Sequence, residues 1–222
     1  MLMTRRVLDF GIVRRTRQIS MLLMTILIWG SCIAAGLAYL QEYETTPGVA
    51  RPQPTSWQAT SKLEFMPGKF NCVMMVHPRC PCSLASLREL RSLVERHPDQ
   101  IAVHILFWVP SQSGSDWNQT EAWHLASLIP MARLYSDEEG IEAELFGATT
   151  SGHTILFQSD GTRIFSGGLT VSRGASSDGS GQQVISRVID GTNSCERSTP
   201  VFGCPLFNPP AACREVADPG HE

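Results

Sequence analysis

Apolar side chains recur at helical spacing in some stretches and run continuously in others, and the changes between them mark out the elements. Residues 21–40 (MLLMTILIWGSCIAAGLAYL) carry no charge. At about 1.5 Å per residue the run spans roughly 30 Å, the depth of a bilayer's hydrocarbon core. Residues 41–60 are rich in Pro, Thr and Gln, show no apolar period, and read as a linker. A folded unit is expected over 61–191. It opens with a strand, Phe70–Val76, followed by a helix over Cys82–His97 whose Leu84, Leu87, Leu90, Leu93 and Val94 share one face. Ile101–Val109 is a continuous apolar run rich in β-branched residues, the pattern of a strand buried on both faces. A helix over Gln119–Leu128, a short strand about Arg133–Tyr135 and a helix about Glu138–Phe146 come next. Thr154–Gln158 and Arg163–Ser166 form a hairpin around Ser159-Asp160-Gly161, and Gly181–Ile189 is a last helix stopped by Gly191. Early strand–helix–strand units with a late hairpin predict an α/β fold, a mixed sheet with helices on both faces.

Charge sets the orientation. Arg5, Arg6, Arg14, Arg15 and Arg17 precede the apolar run, while Glu42 and Glu44 lie beyond it. The positive-inside rule keeps residues 1–20 in the cytoplasm and exports the chain beyond the apolar run. A cleaved signal peptide with Gly36-Leu37-Ala38 as its small-residue site is the competing reading. The run exceeds a usual signal core, so a single uncleaved transmembrane anchor over 21–40 is expected. The domain then lies in the periplasm or outside the cell, on the bacterial inner membrane. The formal net charge is −3 overall, more negative without the arginine-rich start, and the lysines are Lys62 and Lys69 alone. Without a basic stripe, nucleic-acid binding is disfavoured.

Candidate chemistry centres on His77-Pro78-Arg79-Cys80-Pro81-Cys82-Ser83, where the first strand gives way to a helix. Pro81 suits the first helical position and pushes its predecessor towards extended geometry. Cys80 is therefore expected at the N-cap and Cys82 at the second helical residue. Free N–H groups and the helix dipole favour thiolate there, so Cys80 is expected to be the more exposed and more acidic thiol. A Cys-x-Cys disulfide closes a small, strained ring that is easily reduced, which fits an oxidant or isomerase better than a strong reductant. An inert or permanently bonded pair is the plain alternative. His77 flanks the pair as a proton donor or acceptor, or as a surface residue before a turn.

Seven cysteines in an exported chain make disulfides permissible. Cys32 lies in the anchor and Cys72 in an apolar strand. The tail, 192–222, spaces Cys195, Cys204 and Cys213 nine residues apart. Val201-Phe202-Gly203-Cys204-Pro205-Leu206-Phe207 is an apolar clamp able to dock on the domain. Either a disulfide staples the tail or one of its thiols resolves against Cys80. The Gly/Ser-rich loop Ser172–Gly181 is a rim over the site or merely a loop. Trp108 and Trp117 are expected in or near the core, and His104 as a satisfied core histidine.

The order strand, Cys-Pro-Cys, helix, strand, helix, then Ser151-Gly152-His153-Thr154-Ile155-Leu156-Phe157 with its Gly turn, resembles the thioredoxin-like superfamily over 61–191. The Cys-Pro-Cys layout also resembles bacterial proteins designated RedB-like, a resemblance that carries no mechanism. Two departures matter. The usual Cys-x-x-Cys is shortened, so Arg79 takes the nucleophile position if Pro81-Cys82 matches the family's Pro-Cys. His153 stands where the family has a cis-proline, and the resemblance implies that it neighbours Cys80 and Cys82. That segment also resembles Sco-type copper proteins, in which a His joins two cysteines on the metal, although their cysteines have three residues between them.

The expected function is membrane-tethered thiol–disulfide exchange with exported proteins that carry thiols or disulfides. In it Cys80 attacks, Cys82 resolves, His77 and His153 tune protons, and no cofactor is needed. The rivals are a copper(I) carrier using Cys80, Cys82 and His153, and a degenerate thioredoxin-like binding module. A peroxidase fits less well, for want of a peroxide-binding Thr/Arg arrangement.

Overall fold

The computed structural model describes residues 3–114, 116–175, 180–192 and 198–207. Two units are separate: residues 1–44 and residues 45–222. In the first, helix α1 (Met3–Thr45) contains a stretch, Arg17–Thr45, long and apolar enough by length and composition to cross a membrane, or to serve as a signal sequence.

The second unit is built on strands β1 (Phe70–Val76), β2 (Ile101–Val109), β3 (Ala132–Glu138), β4 (His153–Phe157) and β5 (Arg163–Gly168), in the order β3-β2-β1-β4-β5. Helices α2 (Cys82–Arg96), α3 (Glu121–Ser127), α4 (Ile141–Leu145) and α5 (Ser180–Ile189) connect or succeed them. β1, β2 and β3 are mutually parallel, while β4 runs antiparallel to both β1 and β5. β1 is central, and its residues after Phe70 are all buried, which is why it reads as an apolar run from Cys72 onward.

Alternate residues of the central strands feed two cores. Cys72, Met74, Val76, Val103, Ile105 and Phe107 face Leu87, Leu90, Leu93 and Val94 of α2, with Val184 and Ile185 of α5. Val73, Met75, Leu106, Ile155 and Phe157 face Leu63, Phe146 and Leu206 on the other side. The hairpin turns where expected. Gly161 takes φ +85°, Gly161 N–H donates to Gln158 O at 2.9 Å, and Thr162 N–H to Asp160 Oδ1 at 2.8 Å. Asp137, at the end of β3, is 3% exposed and accepts the amides of Glu142 and Ala143 at 2.8 and 2.9 Å, capping α4.

The stretch 41–60 differs from a plain linker. Trp57 packs its ring against Phe65, His104, Phe146 and Phe157 at 5.2–5.7 Å between centroids. Its amide donates to Gly161 O at 2.8 Å, and Arg163 N–H donates to Thr55 O at 2.9 Å. One aromatic ring brings enough buried area to hold an otherwise polar segment on a sheet, and it carries no period to reveal itself. Replacing Trp57 by Ala is expected to lower unfolding stability by about 2–3 kcal/mol, the scale of a large-to-small change in a packed site. Chemical denaturation of the full chain measures it; a linker residue would leave the midpoint unmoved.

Candidate functional site

β1 ends at Val76, and the next residues turn tightly into α2. His77 N–H donates to Ser151 Oγ at 2.8 Å, and Cys80 N–H to His77 O at 3.1 Å. Pro81 already has helical dihedrals (φ −63°, ψ −28°), and Ser83 N–H donates to Cys80 O at 3.1 Å. Pro81 is thus the N-cap and Cys82 the first helical residue, one position off the expected register, so Cys80 is not the cap but stands just ahead of it at the mouth of the helix. Ser83 and Ser151 share a hydroxyl hydrogen bond of 2.7 Å, which ties α2 to the loop entering β4.

The sulfur of Cys80 collects donors. Foremost is the thiol of Cys204; the Cys204 amide, the Ser83 hydroxyl and the Cys82 amide add to it. Together they outweigh burial, which acts the other way, and pull the Cys80 pKa from an ordinary 9.0 to about 5. The acidity matches expectation; the exposure does not. Cys80 is 3% exposed, whereas Cys82 and Cys204 are half-buried. Cys82 is pushed up by burial and then by the neighbouring Cys80 charge, against the opposing charge of Arg173. Cys204 is raised further, chiefly because its proton is held on Cys80. Cys72 is fully buried, and burial raises its thiol to about 12.

Cys80, Cys82 and Cys204 are all free thiols in this structure. Cys195 and Cys213 lie outside the described residues. Nothing in the nine-residue spacing distinguished Cys204; the apolar flanks did, since Phe202 and Leu206 are 8% and 3% exposed. Arg173, in the Ser172–Gly181 loop, donates to Gly203 O and, at 3.3 Å, to Thr46 O. Residues 176–179 of that loop are outside the described residues.

Beside the thiols runs an aromatic rim. His77 stacks on Trp108 at 5.4 Å and 14°, Trp117 meets Trp108 edge-on at 6.2 Å, and Arg79 lies 4.0 Å over the Trp117 ring. These tryptophans, expected in or near the core, are half-buried at the motif's edge. Arg79 N–H donates to His77 Nδ1 at 3.2 Å, which leaves the proton of the neutral ring on Nε2. Burial lowers the His77 pKa, partly offset by the Cys80 charge.

His153 is placed differently from expectation. The loop before it does meet the cysteines, since Ser151 N–H donates to Cys204 O at 2.8 Å. The His153 ring instead bonds Ser166 Oγ at 2.8 Å through Nε2, and that hydroxyl donates to Gln53 Oε1 at 2.6 Å. It lines a cleft of about 510 Å³ that no cysteine borders, and burial lowers its pKa to about 4. Adjacent side chains on a strand point to opposite faces, so Thr154 and His153 cannot both look at the helix mouth. Among the described residues no three His, Cys, Asp or Glu side chains are disposed to hold a metal ion. Cys80, Cys82 and His153 are therefore not brought together as a three-ligand group in this structure. His104 is core, as expected, but only Nδ1 is partnered, with Tyr135 Oη at 3.3 Å; Nε2 has no partner.

The sheet order with its one antiparallel strand, β4, and the cysteine motif between β1 and α2, decide the fold. It is thioredoxin-like. No family model matches the chain, and no curated protein does. Among solved structures, a hypothetical protein from Sinorhizobium meliloti aligns at TM-score 0.53 and 16% identity, over 72% of this chain and 93% of its own. An uncharacterized conserved protein from Geobacillus kaustophilus aligns at TM-score 0.53 and 16% identity, over 75% and 95%. A secreted disulfide oxidoreductase of Mycobacterium tuberculosis aligns at TM-score 0.39 and 13% identity, over 56% and 83%. In this thioredoxin-like chain the turn ahead of the Thr-initiated strand faces the thiols through Ser151, and the side chain at the cis-proline position faces away.

The pH behaviour derives from Cys80. Its folded pKa lies below its ordinary value, so its contribution to stability is complete above about pH 9 and disappears as pH falls towards 5. The stability difference between the reduced protein and its Cys80→Ser variant is expected to widen from pH 5 to pH 9, read by denaturation at each pH. Thiolate absorbance should titrate near pH 5 in the wild type. In Ser83→Ala the midpoint should rise by about one unit, the scale of one lost hydrogen bond to a charge.

Proposed function

We propose that the protein is a membrane-tethered, extracytoplasmic thiol–disulfide oxidoreductase acting on other exported proteins. The observation that carries the reading is the Cys80 thiolate: four donors hold it at a helix mouth with a pKa near 5. A nucleophile ionised at neutral pH, next to a second cysteine kept protonated, is the arrangement that thiol–disulfide exchange requires.

Exchange proceeds in two attacks. Cys80 Sγ attacks one sulfur of a protein disulfide; a mixed disulfide forms, and the other sulfur leaves as a thiolate with the electron pair of the broken bond. Once Cys80 is uncharged, its opposition to ionisation of Cys82 is removed. The Cys82 thiolate then attacks Cys80, releasing the second substrate thiolate and leaving a Cys80–Cys82 disulfide. Two thiols of the chain are oxidised and one substrate disulfide is reduced; run backwards, the same steps oxidise a dithiol. The proton that Cys82 gives up goes through solvent to the first departing sulfur, and His77, neutral with its proton on Nε2, serves as a hydrogen-bond donor to a thiolate there. Helix α1 is the tether, and the arginines ahead of it set the orientation.

Trapping tests this directly. Cys80→Ser is expected to form no mixed disulfide with exported proteins, whereas Cys82→Ser combined with Cys204→Ser should accumulate them. Non-reducing gels of membranes quenched with acid and alkylated give the readout. Undiminished trapping by Cys80→Ser would sink the assignment.

A further inference from the structure

Residues 198–207 run across the domain as a strap. Ser198 bridges Ser166 on the edge strand β5, Thr199 Oγ1 donates to Gly168 O at 2.7 Å, and Gly168 N–H donates to Pro200 O at 3.3 Å. The strap then crosses to the loop before β4 and pairs with it antiparallel, Thr150 opposite Pro205. Ser151 N–H donates to Cys204 O and Leu206 N–H to Thr149 O, each at 2.8 Å. Glycines admit the strap at its closest approaches. A Cβ on Gly167 or Gly168 would stand 2.4 or 2.6 Å from strap backbone, and one on Gly203 would stand 2.0 Å from Ser151 O. In strand-like backbone, residues two apart share a face. Phe202 and Leu206, both buried, flank Cys204 at that interval, and Leu206 belongs to the core beside Val73 and Met75.

The centre of this pairing is the nucleophile. Cys204 brings its thiol and its amide to Cys80, and Cys80 is 3% exposed. A thiol so covered meets no disulfide of another protein until Cys204 moves aside. What Cys204 vacates is a place for one sulfur against Cys80, a backbone edge at 149–151, and apolar seats two residues to either side.

We propose that the groove filled by the strap is the substrate groove, that it takes an extended polypeptide bearing a disulfide-bonded cysteine with large apolar residues two positions before and after it, and that the strap is its displaceable cover. The proposal rests on the oxidoreductase reading. With the strap lifted, Cys80 Sγ bonds to the sulfur of the seated cysteine. The substrate's S–S bond breaks, and its departing sulfur carries off the electron pair and is protonated by solvent. The seated residue then occupies the position of Cys204.

Gly203→Ala tests it in the full-length protein in detergent, because the added methyl meets the Ser151 carbonyl and lifts the strap without entering the core. Alkylation of Cys80 by iodoacetamide is monitored by mass spectrometry across pH, and rates are compared on the alkaline plateau, where thiolate fraction no longer matters. A rise of about tenfold or more is expected, equivalent to about 1.4 kcal/mol of lost docking. Unreactive Cys72 serves as the check that the fold persists. If Gly203→Ala fails that check, Arg173→Gln, which removes the donor to Gly203 O, should raise the plateau in the same direction. The second arm offers two quenched disulfide peptides, one with Phe and Leu two residues before and after the cysteine and one with Ser at both places. The Phe/Leu peptide should be reduced about tenfold faster, about 1.4 kcal/mol of preference. An unchanged plateau overturns the cover, and equal peptide rates overturn the groove. A raised plateau with neither peptide reduced overturns the oxidoreductase reading itself and the groove with it.

Discussion

The arrangement depends on keeping one negative charge inside a protein. A buried thiolate is tolerable only if donors replace the water it has lost. For Cys80 those donors come from chain segments more than a hundred residues apart. Ser83 and the Cys82 amide belong to the start of α2, while Cys204 belongs to the strap. Ser151, in the loop before β4, binds Ser83, His77 and the strap at once. The site is thus a junction, and the charge is a reason for the strap to dock as much as a product of its docking.

That one charge also orders the three thiols. Cys82 is held protonated by burial and then by the Cys80 charge, and Cys204 by the hydrogen bond its thiol gives to Cys80, with burial and the same charge behind it. Arg173 pulls both the other way. Without the charge on Cys80 that repulsion is gone, and Arg173 then acts on Cys82 against burial.

What the sequence made legible were features with a local signature. β1 and β2 are predominantly apolar runs, interrupted only by Asn71 and His104, and fall at the expected residues. The hairpin is announced by Asp160-Gly161 and the helix mouth by Pro81. The features that escaped are single residues whose meaning is tertiary. Trp57 looks like part of a linker until its ring is seen against Phe146 and Phe157. Asp137 caps a helix of only five residues, too short to show a period. His153 was drawn towards the thiols by resemblance, but strand alternation sends its ring to Ser166 and Gln53, where it closes a polar network tying residue 53 to the hairpin. Cys204 was separable from Cys195 and Cys213 only by its apolar neighbours, because equal spacing says nothing of depth.

The strap's covalent attachment bears on how such a site stays selective. A segment joined to the domain competes with free peptides at an effective concentration in the millimolar range, set by geometry and not by abundance. Peptides lacking the apolar anchors would rarely displace it, so the cover is itself a filter. Its strongest hold on the nucleophile, the Cys204 thiol donating to the Cys80 sulfur, exists only while that sulfur is charged. Bond formation at Cys80 removes the acceptor and weakens the cover for the covalent intermediate, and release of product restores both. Access to the site and its redox state are then one variable, because the same sulfur that reacts is the sulfur that holds the cover shut.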